Sequence, residues 1–194
     1  MKLAIIDYGA GNVKSVQNAL NRLGVESFLT SDAEEIKTAE KVIFPGVGHA
    51  KAAMETLKEK NLVNVIKELK QPVLGICLGM QLLFENSEEG STPCIGVIPG
   101  NVKPFTNQDY KTTQIGWNQV FTNEKVLLNE VNEEYVYYVN SFYVPFDSSY
   151  TIGWTDYGLK FSASVQKDNF YGCQFHPEKS GKIGERILKN FIEL

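Results

Sequence analysis

In the first half of the chain, short apolar runs alternate with segments in which apolar residues recur at helical spacing. The apolar runs have the length of strands and end at turn residues: Leu3–Asp7, Val25–Thr30, Lys41–Pro45 and Pro72–Cys77. Between them, apolar positions three to four residues apart predict helices after Asn12, within residues 49–69 and from about Gly79. Continuously apolar strands that alternate with helices indicate a parallel sheet covered on both faces.

After about Ser87 the pattern changes to short runs rich in Val, Tyr, Phe and Thr. The candidate strands are Val97–Lys103, Tyr135–Val144, Tyr150–Thr155, Phe161–Gln166 and Phe170–Phe175. The last predicted element is a helix over Lys182–Ile192. We find no repeat or linker, and we predict a single α/β domain over residues 1–194. Its parallel-rich central sheet is flanked by helices and has an antiparallel extension.

Composition and charge exclude several classes of protein. The 194 residues are 43% hydrophobic and 22% charged, as in a globular domain. A net charge of −4, from 19 basic and 23 acidic side chains, offers no basic patch for nucleic acid or lipid. No apolar run approaches the ~20 residues that span a bilayer, and the first strand begins too early to leave room for a signal peptide. Three cysteines without CxxC spacing favour reduced thiols and a cytoplasmic location.

A cysteine lies between a predicted buried strand and a predicted helix, in the pattern G-x-C-x-G from Gly75 to Gly79. The pattern resembles the nucleophile elbow of serine hydrolases, with Cys77 in place of serine. Both glycines are expected because side chains there would collide with neighbouring backbone, and the helix N-terminus favours an anionic sulfur. The N–H of Leu78 is placed to face a developing oxyanion. The alternative is a small buried cysteine with a structural role.

The segment QFHPE (residues 174–178) supplies a base and an acceptor that can orient it, both of which a thiol nucleophile needs. His176 follows a predicted strand, and Glu178 projects to the same side if the segment is extended. His49, the only other histidine, follows a glycine turn at the expected start of a helix and is interpreted as a residue near the site or on the surface. We predict the catalytic residues Cys77, His176 and Glu178. Taken alone, the QFHPE segment could also be a surface turn.

Two glycine turns follow strands of the predicted sheet. Gly46, Val47 and Gly48 form a turn from which we expect a second oxyanion donor, because glycines let the backbone approach a ligand. A plain strand–helix turn or a weak phosphate cradle are the alternatives. The turn Gly9–Gly11 lacks the third glycine and the acidic residue of a dinucleotide fingerprint. We predict no cofactor and no metal.

The segments GICLGMQ (residues 75–81) and QFHPE together resemble the two signature segments of class I (triad-type) glutamine amidotransferases. The resemblance covers the whole chain and implies a flavodoxin-like fold. Further similar segments are IIDYGAGNVKSV (residues 5–16), PGVG (45–48), IGWN (115–118) and QFHPEKS (174–180). They are typical of members in which a separate glutaminase chain forms a heterodimer with a (β/α)8-barrel cyclase of histidine biosynthesis.

The resemblance also implies roles for individual residues. Cys77 attacks the side-chain amide of glutamine to give a thioester, His176 transfers protons and Glu178 orients the imidazole. The oxyanion donors are Leu78 and the Gly46–Gly48 loop, above all the amide of Val47, and that loop reorients on activation. The residues implied to hold the amino-acid end of glutamine are Gln81, Asn140, Ser141 and Phe142. Those implied to lie near the partner are Trp117, Asn118 and Lys179.

The chain departs from the family in two segments. Residues 113–118 read TQIGWN where Pro-His-x-Gly-Trp-Asn is frequent, and residues 140–142 read NSF where His-Ser-Tyr is frequent. Because the glutamine contacts there run largely through backbone, we expect the site to survive. The partner has an alternative: a glutaminase of this fold can feed another synthase, such as one that aminates surface sugars. Another Cys–His hydrolase, such as a peptidase or γ-glutamyl hydrolase, is the third interpretation.

Overall fold

A computed structural model of the protein describes residues 1–9, 12–106 and 111–194. The helices are α1 Val13–Arg22, α2 Ala33–Thr38, α3 Ala50–Glu59, α4 Leu62–Lys67, α5 Leu78–Leu82 and α6 Gly181–Ile192. The strands are β1 Leu3–Ile6, β2 Ser27–Thr30, β3 Lys41–Gly46, β4 Val73–Cys77, β5 Phe84–Ser87, β6 Thr92–Pro93, β7 Ile98–Pro104, β8 Gln114–Val120, β9 Glu134–Asn140, β10 Phe142–Pro145, β11 Thr151–Asp156, β12 Lys160–Lys167 and β13 Phe170–Cys173. Ala10 and Gly11 of the Gly9–Gly11 turn lie outside the described residues.

Eleven of the described strands form one sheet in the order β2-β1-β3-β4-β13-β12-β10-β7-β5-β6, and β11 pairs with β12. Strands β2, β1, β3, β4 and β13 are parallel, and β13, β12, β10 and β7 then pair antiparallel. The parallel part has the flavodoxin-like order, in which ligands bind at the carboxyl ends of the strands. The predicted α/β fold with its antiparallel extension is confirmed.

The inner parallel strands β1, β3, β4 and β13 are mostly apolar and buried along their whole length because helices cover both faces of the sheet. Leu3 and Ile5 cluster with residues of α1 and α6, whereas Ala4 and Ile6 cluster with residues of α3 and α4. All four side chains are fully buried. Successive residues of a strand point to opposite faces, so each face obtains its own core. Among the described residues, no helix is long and apolar enough to cross a membrane.

Several elements are absent from the sequence-based prediction: α2, β5, β6 and β8. Helix α2 buries only Ile36 and therefore shows no apolar stripe, although Asp32 caps it by accepting from two backbone N–H groups 2.9 Å away. Strand β8 exposes its large apolar residues, since Ile115 and Trp117 are 67% and 55% accessible. Among the described strands it pairs with β9 alone, in a separate two-stranded sheet. A pattern that assumes inward apolar residues does not find such a strand.

The prediction of one strand over Tyr135–Val144 is wrong, because the structure contains two strands that belong to different sheets. Strand β9 pairs with β8, whereas β10 pairs with β7 and β12. Ser141 is the crossing point, and its carbonyl accepts from the N–H of Phe105 at 3.0 Å. The strand predicted over Phe170–Phe175 ends at Cys173. The N–H of Gln174 still donates to the carbonyl of Ala163 on β12 at 2.8 Å, and the chain then turns towards β9. The N–H of His176 donates to the carbonyl of Tyr137 on β9 at 2.9 Å.

Candidate active site

Cys77 is the last residue of β4, and α5 begins at the next residue. The backbone of Cys77, with φ 53° and ψ −110°, is strained for a residue with a side chain. Close packing of α5 against both β4 and β3 enforces this turn. A Cβ at Gly75 would lie 2.8 Å from the Cα of Met80, and one at Gly79 would overlap the carbonyl oxygen of Phe44. The predicted need for both glycines is confirmed.

His176 and Glu178 form a buried pair beside the elbow. The Nδ1 of His176 lies 2.8 Å from Oε1 of Glu178, and the two side chains are 3% and 2% exposed. The extended geometry expected for this pair is wrong at Glu178, since residues Pro177–Lys179 form a 3-10 turn. Ser180 fixes the turn: its Oγ donates to the carbonyl of His176 at 2.7 Å and accepts from the N–H of Tyr137 at 3.0 Å.

The imidazole of His176 is placed between Cys77 and Glu178. Burial by itself lowers the pKa of His176, but hydrogen bonds to Cys77 and Glu178 and the charges of both residues outweigh it and raise the pKa to about 10. Because Nδ1 contacts Glu178, Nε2 is the nitrogen left for the sulfur. The imidazole can therefore accept the proton of the Cys77 thiol and keep it while the sulfur is anionic.

The end of β3 lies directly beside the elbow. Gly46 is the register partner of Cys77 across the β3–β4 pair. No side chain fits at Gly46, because a Cβ would lie 2.5 Å from the hydroxyl of Tyr8. That hydroxyl donates to the carbonyl of Pro45 at 3.0 Å. Burial, and then the charge of Cys77, raise the pKa of Tyr8, so the phenol stays neutral as a donor.

The remainder of this glycine loop connects β3 to α3. Val47 is 40% exposed, and Gly48 has a φ of 98°, which favours glycine. His49 caps α3, as the prediction of a helix start near the site requires, and its Nδ1 accepts from the backbone of the first turn at 3.2 Å. The carboxylate of Glu89 accepts from the N–H of Ala50 at 2.6 Å. The sequence analysis did not identify Glu89 as a site residue. Its position in the turn after β5 gives no local indication that its carboxylate reaches α3.

A network of buried amides connects the elbow to β10. Gln81 Nε2 donates to the carbonyl of Phe142 at 3.0 Å and to Oε1 of Gln174 at 2.9 Å. Asn140 Nδ2 donates to the same carbonyl of Phe142 at 2.9 Å. Gln174 Nε2 lies 3.8 Å from the Sγ of Cys77. Gln174 was missed by sequence reasoning, although a fully buried glutamine next to a candidate base is a signal.

A cavity of about 280 Å³ opens above the thiol of Cys77 and is called the thiol pocket below. Its size suits a small polar molecule. All the residues predicted to bind glutamine or the oxyanion, with the exception of Gly46, line this pocket. They are Val47, Gly48, Leu78, Gln81, Asn140, Ser141 and Phe142. Lys179, predicted near the partner, also lines the pocket, as do Glu89 and Thr113. The hydroxyls of Thr113 and Ser141 are 2.7 Å apart.

The other predicted partner residues lie on β8, next to an exposed apolar face. Ile115, Trp117 and Tyr135 are 67%, 55% and 53% exposed and belong to the β8–β9 pair. The side chain of Asn118 donates to a carbonyl of β11 at 2.9 Å and so also holds β8 in place. Exposed apolar side chains grouped in this way are typical of protein interaction sites. The assignment of Trp117, Asn118 and Lys179 to an interface stays a prediction.

The two departures from the family pattern meet in the structure. Gln114 and Asn140 are direct partners across the β8–β9 pair and are 3% and 6% exposed. Both amide atoms of Gln114 and the Oδ1 of Asn140 have no hydrogen-bond partner among the described residues. A buried polar atom without a partner costs about 1–3 kcal/mol. Gln114 and Asn140 therefore depart from the family pattern at neighbouring positions. The carbonyl of Phe142 still accepts hydrogen bonds from Gln81 and Asn140.

Comparisons with known proteins agree with this geometry. Residues 4–194 match the family described as Glutamine amidotransferase class-I. A protein of Bacteroides fragilis named "Imidazole glycerol phosphate synthase subunit HisH" is 53% identical, with 100% of both chains covered. A protein of Bacteroides thetaiotaomicron with the same name is 51% identical, also over 100% of both chains.

Among solved structures, PurLQS from Thermotoga maritima is similar with a TM-score of 0.73. The alignment covers 99% of this chain and 97% of that chain at 18% identity, so this likeness concerns the fold alone. The family match spans nearly the whole chain, and the two relatives are aligned from end to end. The chain therefore belongs to the class I glutamine amidotransferases.

Proposed function

We propose that this chain is the glutaminase subunit of an imidazole glycerol phosphate synthase, in which it hydrolyses glutamine to glutamate and ammonia. The observation that carries the proposal is the contact of buried His176 with both Cys77 and Glu178 beside the thiol pocket. The names of the full-length Bacteroides relatives support the choice of synthase. We also propose a cytoplasmic location, because a thiol nucleophile acts in its reduced form.

The proposed reaction begins when the thiol proton of Cys77 passes to His176 and the sulfur attacks the amide carbon of the glutamine side chain. As the C–S bond forms, the carbonyl electron pair moves to oxygen, and backbone N–H groups of Leu78 and Val47 stabilise the oxyanion. His176 then donates its proton to the amide nitrogen, the C–N bond breaks and ammonia leaves. Glu178 holds the ring and offsets its positive charge. The product of this half-reaction is a thioester on Cys77.

Hydrolysis of the thioester completes the cycle. Neutral His176 accepts a proton from water, and the hydroxide attacks the thioester carbon. The second tetrahedral intermediate collapses, the C–S bond breaks and glutamate leaves. His176 then returns the proton to the sulfur of Cys77, which restores the thiol. The same imidazole therefore acts alternately as a base and as an acid.

We propose that the residues of the thiol pocket that bind the amino-acid end of the substrate select glutamine. The pocket is lined there by Gln81, Asn140, Ser141 and Phe142. The side chains of Gln81 and Asn140 both donate hydrogen bonds to the carbonyl of Phe142. Glu89 and Lys179 also line the pocket, and their charges are opposite to those of the ammonium and carboxylate of an amino acid. A peptide substrate would lack at least one of these two charges. The pocket thus favours a free amino acid.

The proposed partner is a (β/α)8-barrel cyclase that forms a heterodimer with this chain. It combines ammonia with a phosphoribulosyl imidazole-carboxamide intermediate, and the products are imidazole glycerol phosphate and an aminoimidazole carboxamide ribotide. The exposed apolar face on β8 and β9, with Trp117 at its centre, supports an interface there. Asn118 and Lys179 would lie at its margin. Lys179 lines the thiol pocket, so the interface would adjoin the place where ammonia forms.

Replacement of the proposed nucleophile tests the chemistry. In complex with the cyclase, Cys77→Ala should abolish turnover that depends on glutamine and leave turnover with added ammonia intact. The matched control is Cys94→Ala, because Cys94 is a half-buried thiol that does not line the thiol pocket. Turnover with glutamine that persists in Cys77→Ala would refute the nucleophile.

The partner is tested by co-purification and by activity. The cyclase should co-purify with this chain, and glutaminase activity should be low without it and rise with the cyclase and its nucleotide substrate. Capture of a different synthase would refute the assignment to histidine biosynthesis and favour the sugar-aminating alternative. A glutamine analogue should alkylate Cys77, and the chain should cleave no peptide. If the analogue does not react and peptides are cleaved, a peptidase is favoured.

A further inference from the structure

Gln174 has no assigned role in the proposed reaction, although it contacts the sulfur that performs it. The residue follows β13, its N–H donates to the carbonyl of Ala163 on β12 at 2.8 Å, and its side chain is fully buried. The side-chain Nε2 lies 3.8 Å from the Sγ of Cys77, within the range of hydrogen bonds to sulfur. Its Oε1 accepts from Gln81, one of the residues that line the thiol pocket.

The orientation of this amide follows from one backbone group. The carbonyl of Phe142 can only accept, so the atom of Gln81 that lies 3.0 Å from it must be the NH₂ group. The same NH₂ group contacts Gln174, and the atom of Gln174 that faces it must therefore be the oxygen. The remaining end of the Gln174 amide, which faces the sulfur of Cys77, is then the NH₂ donor.

We propose that Gln174 is a positioning residue that holds the sulfur of Cys77 for attack and is itself held by Gln81. An N–H group directed at sulfur favours the anionic, nucleophilic form of a thiol and restricts its rotation. Gln81 belongs to the wall that would bind glutamine, so the amide chain connects substrate recognition with the nucleophile. This role deepens the proposed glutaminase function and rests on it, whereas the sulfur contact itself does not depend on the substrate.

The test is alkylation of Cys77 by iodoacetamide in the isolated chain, followed across pH by peptide-resolved mass spectrometry. Gln174→Met keeps the length of the side chain and removes the donor. We expect the alkylation rate of Cys77 at pH 7 to fall about tenfold, and the pH of half-maximal rate to rise by about one unit. Gln166→Met is the matched control, because Gln166 on β12 bonds to Tyr171 at 3.3 Å and does not contact the sulfur.

The other ionisable groups near the sulfur are the same in these variants and in the wild type. A rise in the pH of half-maximal alkylation would therefore come from the loss of the Gln174 donor. The groups that interact with Cys77 or His176 or line the thiol pocket are Tyr8, Glu89, His176, Glu178 and Lys179. A purely structural role of Gln174 would lower stability without changing the pH profile of alkylation.

A second variant keeps the proposal testable if Gln174→Met does not fold. Gln81→Met leaves Gln174 in place but releases its oxygen, and we expect a smaller fall in alkylation rate in the same direction. If both fold, the double variant should alkylate as slowly as Gln174→Met alone, because the residues act in series. Wild-type rates and pH profiles in the variants that fold would overturn the proposal.

The experiments distinguish failure of the proposed glutaminase function from failure of the proposed role of Gln174. If the wild-type complex hydrolysed no glutamine but the alkylation shift appeared, the proposed function would fall and the positioning of the sulfur would stand. If glutamine were hydrolysed and alkylation were unaffected by either variant, the proposed function would stand and the role of Gln174 would fall.

Discussion

Replacement of Gly75 by alanine tests whether the spacing between β4 and α5 controls the reactivity of Cys77. A Cβ at Gly75 would lie 2.8 Å from both the N and Cα atoms of Met80 and 2.9 Å from the carbonyl carbon of Gly79. All three are backbone atoms, so no change of rotamer relieves the contact. Ordinary contact begins at 3.4 Å, and α5 must therefore move away by about 0.6 Å.

The expected magnitudes follow from that displacement. Overpacking of a buried site costs about 1–3 kcal/mol of the free energy of unfolding. Helix α5 carries the N–H of Leu78 and the side chain of Gln81, both of which line the thiol pocket. Since a displacement of about 1 Å can cost 10²-fold in rate, a shift of about 0.6 Å should lower kcat/KM on the order of tenfold. The variant should thus lose both stability and activity.

Two assays and one control separate these effects. Urea unfolding measures stability, and glutamate release in the complex with the synthase partner measures kcat/KM. Gly153→Ala is the control, because its Cβ would meet the flexible end of the Leu128 side chain at 2.5 Å, outside the thiol pocket. We expect it to lose at most about 1 kcal/mol and to keep its activity. Wild-type kcat/KM in Gly75→Ala would refute the reasoning about α5.

Three further predictions concern charge and burial. Glu178→Gln keeps the shape but removes the charge that orients His176, and kcat/KM should fall about 10- to 100-fold, equivalent to about 1.4–2.7 kcal/mol; an unchanged rate would exclude the orienting role. The raised folded pKa of His176, about 10, stabilises the protein fully below pH ~6.5 and progressively less as pH rises towards 10. The difference in unfolding free energy between wild type and His176→Gln should therefore shrink over that range in urea titrations, and growth would contradict this sign. Gln114→Leu removes buried, unpartnered amide atoms and should raise the free energy of unfolding by about 1 kcal/mol, whereas bonded Gln119→Leu should not.

The sequence allowed prediction of features that depend on neighbouring residues. The alternation of apolar strands and helical stripes indicated the parallel sheet, because the periodicity of a buried element is written in its own residues. The spacing from Gly75 to Gly79 indicated the elbow. The collision avoided at Gly75 lies within the strand–helix turn, whereas the one avoided at Gly79 is with Phe44 on the neighbouring strand β3. The short separation of His176 and Glu178 indicated their contact, although the turn that brings them together is a 3-10 turn.

Features that depend on distant partners were not predictable from the same patterns. Residues 135–144 are apolar apart from Asn140 and Ser141 and were predicted as one strand, yet Ser141 divides them because the two halves pair with strands from different parts of the chain. Strand β8 was missed because its apolar residues face solvent and not a core. The contacts of Glu89 with the start of α3 and of Gln174 with Cys77 join residues 39 and 97 positions apart.

The sequence by itself thus determined the class of fold, the nucleophile candidate and its base, since each follows from short-range spacing and from the chemistry of the side chains. Only the tertiary structure decided which groups surround the sulfur of Cys77 and how they are oriented. Four segments converge there: the end of β3, the elbow, the crossing at Ser141 and the residues after β13. Their distances depend on packing across the sheet, which no local pattern encodes.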